Sequence, residues 1–128
     1  MKKKILLVDD IKEFRALLKL FLSRNYEVIT AEDGEQALDF IEGGLNPDVV
    51  VTDLLMPRMD GYQLIAKMRS TDNYKKIPII VLSNVDEVAK KRKLKREGVS
   101  NFLHKPFTVA ELRRGLGKSL SSILTHQN

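Results

Sequence analysis

Five polar side chains stand where short apolar runs end. Asp9 and Asp10 follow "KILLV", Asp53 follows "VVVT", Ser83 follows "IIVL" and Lys105 follows "FLH". Charged side chains are rarely buried without a partner, so these positions ask for company. Carboxylates brought within a few ångströms of one another repel, and a hard divalent cation relieves that repulsion. Mg²⁺ takes oxygen ligands and commonly uses one or two carboxylates together with phosphate oxygens. A nucleophilic carboxylate, a magnesium ion, a lysine and a hydroxyl together suit phosphoryl transfer. The metal and the lysine would neutralise the phosphoryl oxygens while the protein positions the groups. An aspartate in such a site is able to attack phosphorus and form an acyl phosphate. Taken singly, each residue has a plainer role. An Asp-Asp pair after a strand is often a helix N-cap. Asp53 is a common turn starter, Ser83 a capping hydroxyl, and a lone lysine says nothing. The chemical reading rests on all of them falling at successive strand ends in one register.

The elements that would position them alternate along the chain. Strands are expected over 4–9, 26–31, 48–53, 77–83 and 100–105. Unbroken apolar runs of this kind are typical of buried parallel strands, whereas "YEVITA" (26–31) alternates and reads as more exposed. Phe14, Leu17, Leu18, Phe21 and Leu22 follow the spacing of one helix face. Further helices are expected over 34–44, 61–70, 85–97 and 108–120. Glycines close the second, Gly98 closes the fourth, and Thr108 with Glu111 forms a capping box for the last. Five strand–helix units of about 25 residues each predict an α/β fold, a doubly wound parallel sheet with five helices on its two faces. Ligand sites on such sheets lie at the carboxyl ends of the strands. The length of 128 residues suits one domain, 1–128, with a core over about 3–122 and a fraying tail from the early 120s.

Composition narrows the function further. With no cysteine, disulfides, thiolate catalysis and cysteine-ligated zinc are excluded. No apolar run approaches the ~18 residues that a membrane span requires. The apolar part of "MKKKILLVDD" is too short for a signal peptide, so a cytoplasmic location is expected. The net charge of +5 is uneven. Residues 86–118 hold ten Lys/Arg against four Asp/Glu, and the remainder twelve against thirteen. "KKRKLKR" (90–96) dominates that excess and predicts an acidic partner surface, set against the plainer reading of a solvated helix face. Direct nucleic-acid binding is the weaker expectation, since there is neither aromatic interleaving nor a helix-turn-helix after residue 122.

At these residues the chain resembles the receiver domain of two-component response regulators, the single-domain chemotaxis type in particular. The resemblance rests on "LLVDD" (6–10), "VVVTDLLMPRMDG" (49–61), "IIVLSN" (79–84) and "FLHKPF" (102–107), in that order. It implies a flavodoxin-like sheet of strand order 2-1-3-4-5. It implies that Asp53 is the phospho-acceptor, supplied by a sensor histidine kinase or a phosphotransfer protein. Asp10 and Asp53 would bind Mg²⁺ directly, Asp9 through water, and Leu55 through its backbone carbonyl. Ser83 would be the switch hydroxyl, Phe102 the switch aromatic and Lys105 the phosphoryl's partner, with a cis Lys105–Pro106 bond. The face of helix 4, strand 5 and helix 5 would signal to an output protein, from a monomer or a phosphorylation-dependent dimer. The end after helix 5 fits both a whole protein and a receiver cut from a longer regulator.

Three positions around the acceptor modulate access in this reading. Asn84 is larger and more polar than the small residue usual after the switch hydroxyl, and Leu55 and Val85 offer no acid or amide to orient water. Slow self-dephosphorylation is therefore expected. Beyond its own phosphoryl transfer and that slow hydrolysis, the chain is not expected to be an enzyme. The alternative is a receiver-like interaction module working without phosphorylation, which Asn84 alone favours. A hydrolase with an aspartyl-phosphate intermediate usually carries a second acid two residues after the nucleophile, where Leu55 stands here. A flavodoxin-type cofactor protein shares the architecture, but strand 1 lacks a phosphate-binding loop.

Overall fold

The computed structural model describes residues 2–84 and 88–126, and the side chains of all of these except 88, 89 and 122–126. Five strands form one parallel sheet in the order β2-β1-β3-β4-β5. They are β1 (Lys3–Val8), β2 (Tyr26–Ala31), β3 (Val49–Asp53), β4 (Ile79–Ser83) and β5 (Val99–His104). Every residue of β3 and β4 is buried, as the unbroken apolar runs predict for strands covered on both faces. The edge strands β2 and β5 are only partly buried.

The helices divide between the two faces. α2 (Gly34–Glu42), α3 (Gly61–Arg69) and α4 (Val88–Arg96) cover one side, with Ile41, Leu64, Met68 and Leu94 in a core shared with Leu6, Val50 and Val81. α1 (Lys12–Leu22) and α5 (Val109–His126) cover the other, where Leu18, Leu22, Leu112 and Leu116 meet Leu7, Val51 and Ile80. Each fully buried Leu or Ile side chain removed from water contributes about 1.5–3 kcal/mol. Among the described residues, no helix is long and apolar enough to cross a membrane.

Two expectations need adjustment. Of the five apolar positions on α1, only Leu18 and Leu22 are buried, while Leu17 and Phe21 are 49% and 43% exposed. The helix meets the sheet along a narrow stripe centred on residues four apart, and the flanks of the apolar band stay in solvent. The fourth helix is described over Val88–Arg96, and the expected residues 85–87 lie outside the described ones. The last helix continues to His126, since no glycine or proline interrupts 118–126. Its start is as expected: Glu111 N–H donates to Thr108 Oγ1 at 3.0 Å and Thr108 N–H to Glu111 Oε1 at 3.3 Å. Gly98 closes α4 with φ +84°, a conformation that favours glycine.

Arg69, which nothing in the sequence singles out, ties that turn down. Its guanidinium donates to the carbonyls of Glu97, Gly98 and Lys75, joining the end of α3 to the loops before β4 and β5. Burial lowers its pKa from the ordinary arginine value, and Glu97 opposes that shift.

Candidate functional site

Sheet register brings the polar strand ends together. Val8 pairs with Thr52, so Asp9 and Asp53 leave adjacent strands at the same level. Asp53 pairs with Leu82, one residue before Ser83. Ser83 pairs with His104, and Ser83 O accepts from Lys105 N–H at 2.9 Å. The peptide bond after Lys105 is cis, to Pro106.

Carboxylate oxygens of Asp9, Asp10 and Asp53 all lie within 4.8 Å of one another. Lys105 Nζ donates to Asp53 Oδ2 at 2.9 Å and stands 3.6 Å from Asp9 Oδ2. Asp53 Oδ1 accepts the backbone N–H of Leu54 at 2.7 Å. Neither aspartate of the first strand caps α1, whose N-cap is Ile11 with no side-chain cap. Asp9 Oδ1 instead accepts from Ile11 N–H at 2.8 Å, which turns the chain and leaves Oδ2 facing the cluster. The carbonyl of Asp9 is held by Arg15 Nη1 at 2.7 Å.

Asp9 is fully buried, and its Oδ2 has no hydrogen-bond partner. A buried acceptor at the centre of three carboxylates fits a hard, oxygen-seeking cation such as Mg²⁺. Desolvation raises the Asp9 pKa above 3.8, and the charges of Asp53 and Asp10 add to it. The Ile11 N–H and the Lys105 ammonium pull the other way. The folded state thus binds more protons than the unfolded one above that value, and stability falls as pH rises. In chelator-treated buffer, stability of the parent relative to Asp9→Asn declines from pH ~4 upward through the raised pKa. Urea melts at several pH values check this, and a relative gain over the same window contradicts it. A divalent cation bound at this cluster at a hundred times its Kd would add about 2.7 kcal/mol back to the parent at neutral pH.

The other positions singled out in the sequence fall around this cluster. Ser83 is buried at the head of β4. A small pocket partly open to solvent lies beside it, and Phe102 stands half-buried in its wall with Tyr62, Leu54 and Leu94. Leu55 is 63% exposed just past Asp53, and Asn84 is exposed just past Ser83. Val85 lies outside the described residues.

Gly61 and Arg58 belong to the same loop, yet sequence reading gave the glycine no role beyond starting α3. A Cβ on Gly61 would come within 2.2 Å of the carbonyl oxygen of Asp53 and 2.8 Å of Leu54 Cα. The start of α3 is therefore packed directly on the backbone of Asp53. Asp60 and Gln63 cap that helix reciprocally. Gly61→Ala is expected to destabilise the domain by about 3 kcal/mol, at the upper end of overpacking effects, and to displace Asp53. Chemical denaturation checks it; a loss below about 0.5 kcal/mol contradicts the close contact. Arg58, with φ +62°, ties the same loop to the loop before α2 through Asp33 and Glu32.

Residues 5–116 match the response regulator receiver domain family. The chain belongs to that family, whose members serve two-component signalling. It is 41% identical over 113 residues to the response regulator MprA of Mycolicibacterium vanbaalenii, covering 88% of this chain and 48% of that protein. It is 36% identical over 118 residues to the sensor histidine kinase TmoS of Ectopseudomonas mendocina, covering 92% of this chain and 12% of that protein. The chain thus spans less than half the length of these relatives. Among solved structures, the chemotaxis response regulator CheY4 of Vibrio cholerae superposes with a TM-score of 0.84 at 33% identity, over 94% of this chain and all of that one. The Francisella response regulator 1452 receiver domain gives 0.86 at 31% identity, over 95% and 99%.

Proposed function

We propose that this receiver domain accepts a phosphoryl group on Asp53 from the phosphohistidine of a sensor histidine kinase or phosphotransfer protein. One observation carries the reading: the Asp53 carboxylate is bonded to the Lys105 ammonium beside two further carboxylates. An Asp53 oxygen attacks phosphorus, the P–O bond forms as the donor's P–N bond breaks, and the imidazole departs with the electron pair. Lys105 pairs with the developing charge on the phosphoryl oxygens. Asp9, Asp10, Asp53 and the Leu55 carbonyl would hold Mg²⁺, which supplies charge neutralisation to the same oxygens. The test is the intact mass after incubation with Mg²⁺ and acetyl phosphate. The parent gains one phosphoryl group and Asp53→Asn gains none; an unchanged parent mass counts against the reading.

A phosphoryl group adds about −1.5 to −2 charges and strong acceptor oxygens. The Ser83 hydroxyl reaches one of them by moving toward Asp53, and the adjoining cavity then receives Phe102. Shifting such a switch from mostly off to mostly on takes about 5.5 kcal/mol of differential stabilisation. Charge-assisted hydrogen bonds from Ser83 and Lys105 supply a large part of that. Ser83 ends β4 and Phe102 lies in β5, beside α4, which carries the basic run 90–96. This face recognises an output protein with an acidic surface. Reversing charge at Lys91 and Arg92 to glutamate is expected to weaken that binding at least about tenfold at low salt and less at high salt. Titration against the output protein checks it, and unchanged affinity removes the electrostatic argument.

A further inference from the structure

Lys105 has a third neighbour besides the two carboxylates. Its Nζ lies 5.2 Å from the centroid of the Phe14 ring. Phe14 is held in turn by Phe107, with ring centroids 5.9 Å apart and planes at 76°, the edge-to-face arrangement that aromatic pairs favour. The two rings come from the first turn of α1 and from the loop after β5, so they lock together the two segments that carry Asp9, Asp10 and Lys105.

An ammonium has three donors and no acceptor. One Lys105 donor is taken by Asp53 Oδ2, and Asp9 Oδ2 attracts a second from 3.6 Å. On the Phe14 side the ammonium meets an aromatic face rather than water. The Lys105 side chain is only 20% exposed, which leaves the attraction between cation and ring little screened. An aliphatic side chain at position 14 would fill the same space without attracting the charge. Lysine has four rotatable carbons and is otherwise free to swing out of the site.

We propose that Phe14 is a positioning residue for phosphoryl transfer: its ring face holds the Lys105 ammonium toward Asp53 as charge builds on the phosphoryl oxygens. Nothing in the sequence motifs assigns this position a role, and the plainer account makes Phe14 a packing residue of the α1–α5 core. The proposal rests on Asp53 being the acceptor and Lys105 its partner.

The test replaces Phe14 in the full chain by mono-, di- and trifluorinated phenylalanine. These keep nearly the shape of the ring while draining the negative charge from its face. Labelling by acetyl phosphate with Mg²⁺ is followed by intact mass. The rate is expected to fall stepwise with each fluorine, by about three- to tenfold across the series. Phe14→Tyr, which keeps the ring face, stays within about twofold of the parent, and Phe14→Leu falls as far as the trifluorinated protein. A packing role predicts a flat series, and a flat series overturns the proposal even where Phe14→Leu folds poorly. A parent that takes no label overturns the acceptor reading itself. A labelled parent with a flat series overturns the positioning role alone.

Discussion

Lys105→Met is expected to slow phosphorylation of the domain by about a hundredfold, the effect of removing one preorganised charge from developing oxyanions. Methionine keeps the length of the apolar stem while deleting the ammonium. What disappears is the 2.9 Å bond to Asp53 Oδ2 and the 3.6 Å approach to Asp9 Oδ2. No other lysine or arginine among the described residues makes an ion pair with either carboxylate. Removing the charge also raises the Asp9 pKa further, because Lys105 is one of the groups that lowers it. The variant should therefore lose more stability than the parent as pH rises in chelator-treated buffer. Labelling time courses by intact mass, with saturating Mg²⁺, check the main effect. A rate within about threefold of the parent would show that the ammonium near Asp53 is an ion pair of the resting state only.

Once formed, the phosphorylated domain is expected to persist for hours. Hydrolysis of an acyl phosphate is accelerated by a group that orients water or takes its proton, worth roughly a hundredfold or more when well placed. At the rim beside the acceptor, Leu55 is exposed and apolar, and Asn84 adds bulk beyond Ser83. Placing a carboxylate at position 55 supplies the missing base. Leu55→Glu is expected to shorten the lifetime at least about tenfold. Decay of the phosphorylated mass after removal of the donor gives both lifetimes. A parent half-life of a few seconds would mean that solvent already reaches the acyl phosphate with help from a group not considered above.

Much of this architecture is legible in the chain because burial on both faces leaves no room for polar residues. Val49, Val50 and Val51 announce a central strand for that reason, and the polar residue ending each run marks the rim where a site forms. Strand order followed from the family resemblance rather than from the runs themselves. The register then explains the gathering: Asp9 and Asp53 are level, and Ser83 and Lys105 each lie one residue further along than the neighbour before them.

What stays hidden in the sequence depends on contacts between distant segments. Leu17 and Leu18 look alike in the chain, and only the path of α1 across the sheet decides that one is exposed and the other buried. Gly61 reads as an ordinary helix start until the Asp53 carbonyl is found beneath it. Arg69 is one arginine among many until three carbonyls converge on it. Phe14 belongs to an apolar periodicity that predicts burial, and its contact with Lys105 joins residues far apart in the chain. A positive φ at Arg58 could not be expected from its residue type, since the left-handed conformation favours glycine and asparagine.

The most direct measurement locates the phosphoryl group. Protein incubated with Mg²⁺ and acetyl phosphate is treated with borohydride, which reduces an aspartyl phosphate to homoserine, and the peptides are sequenced by mass. Homoserine is expected at position 53, with Asp9 and Asp10 unmodified. Homoserine at either of those positions, or at none while the folded protein binds Mg²⁺, would contradict it.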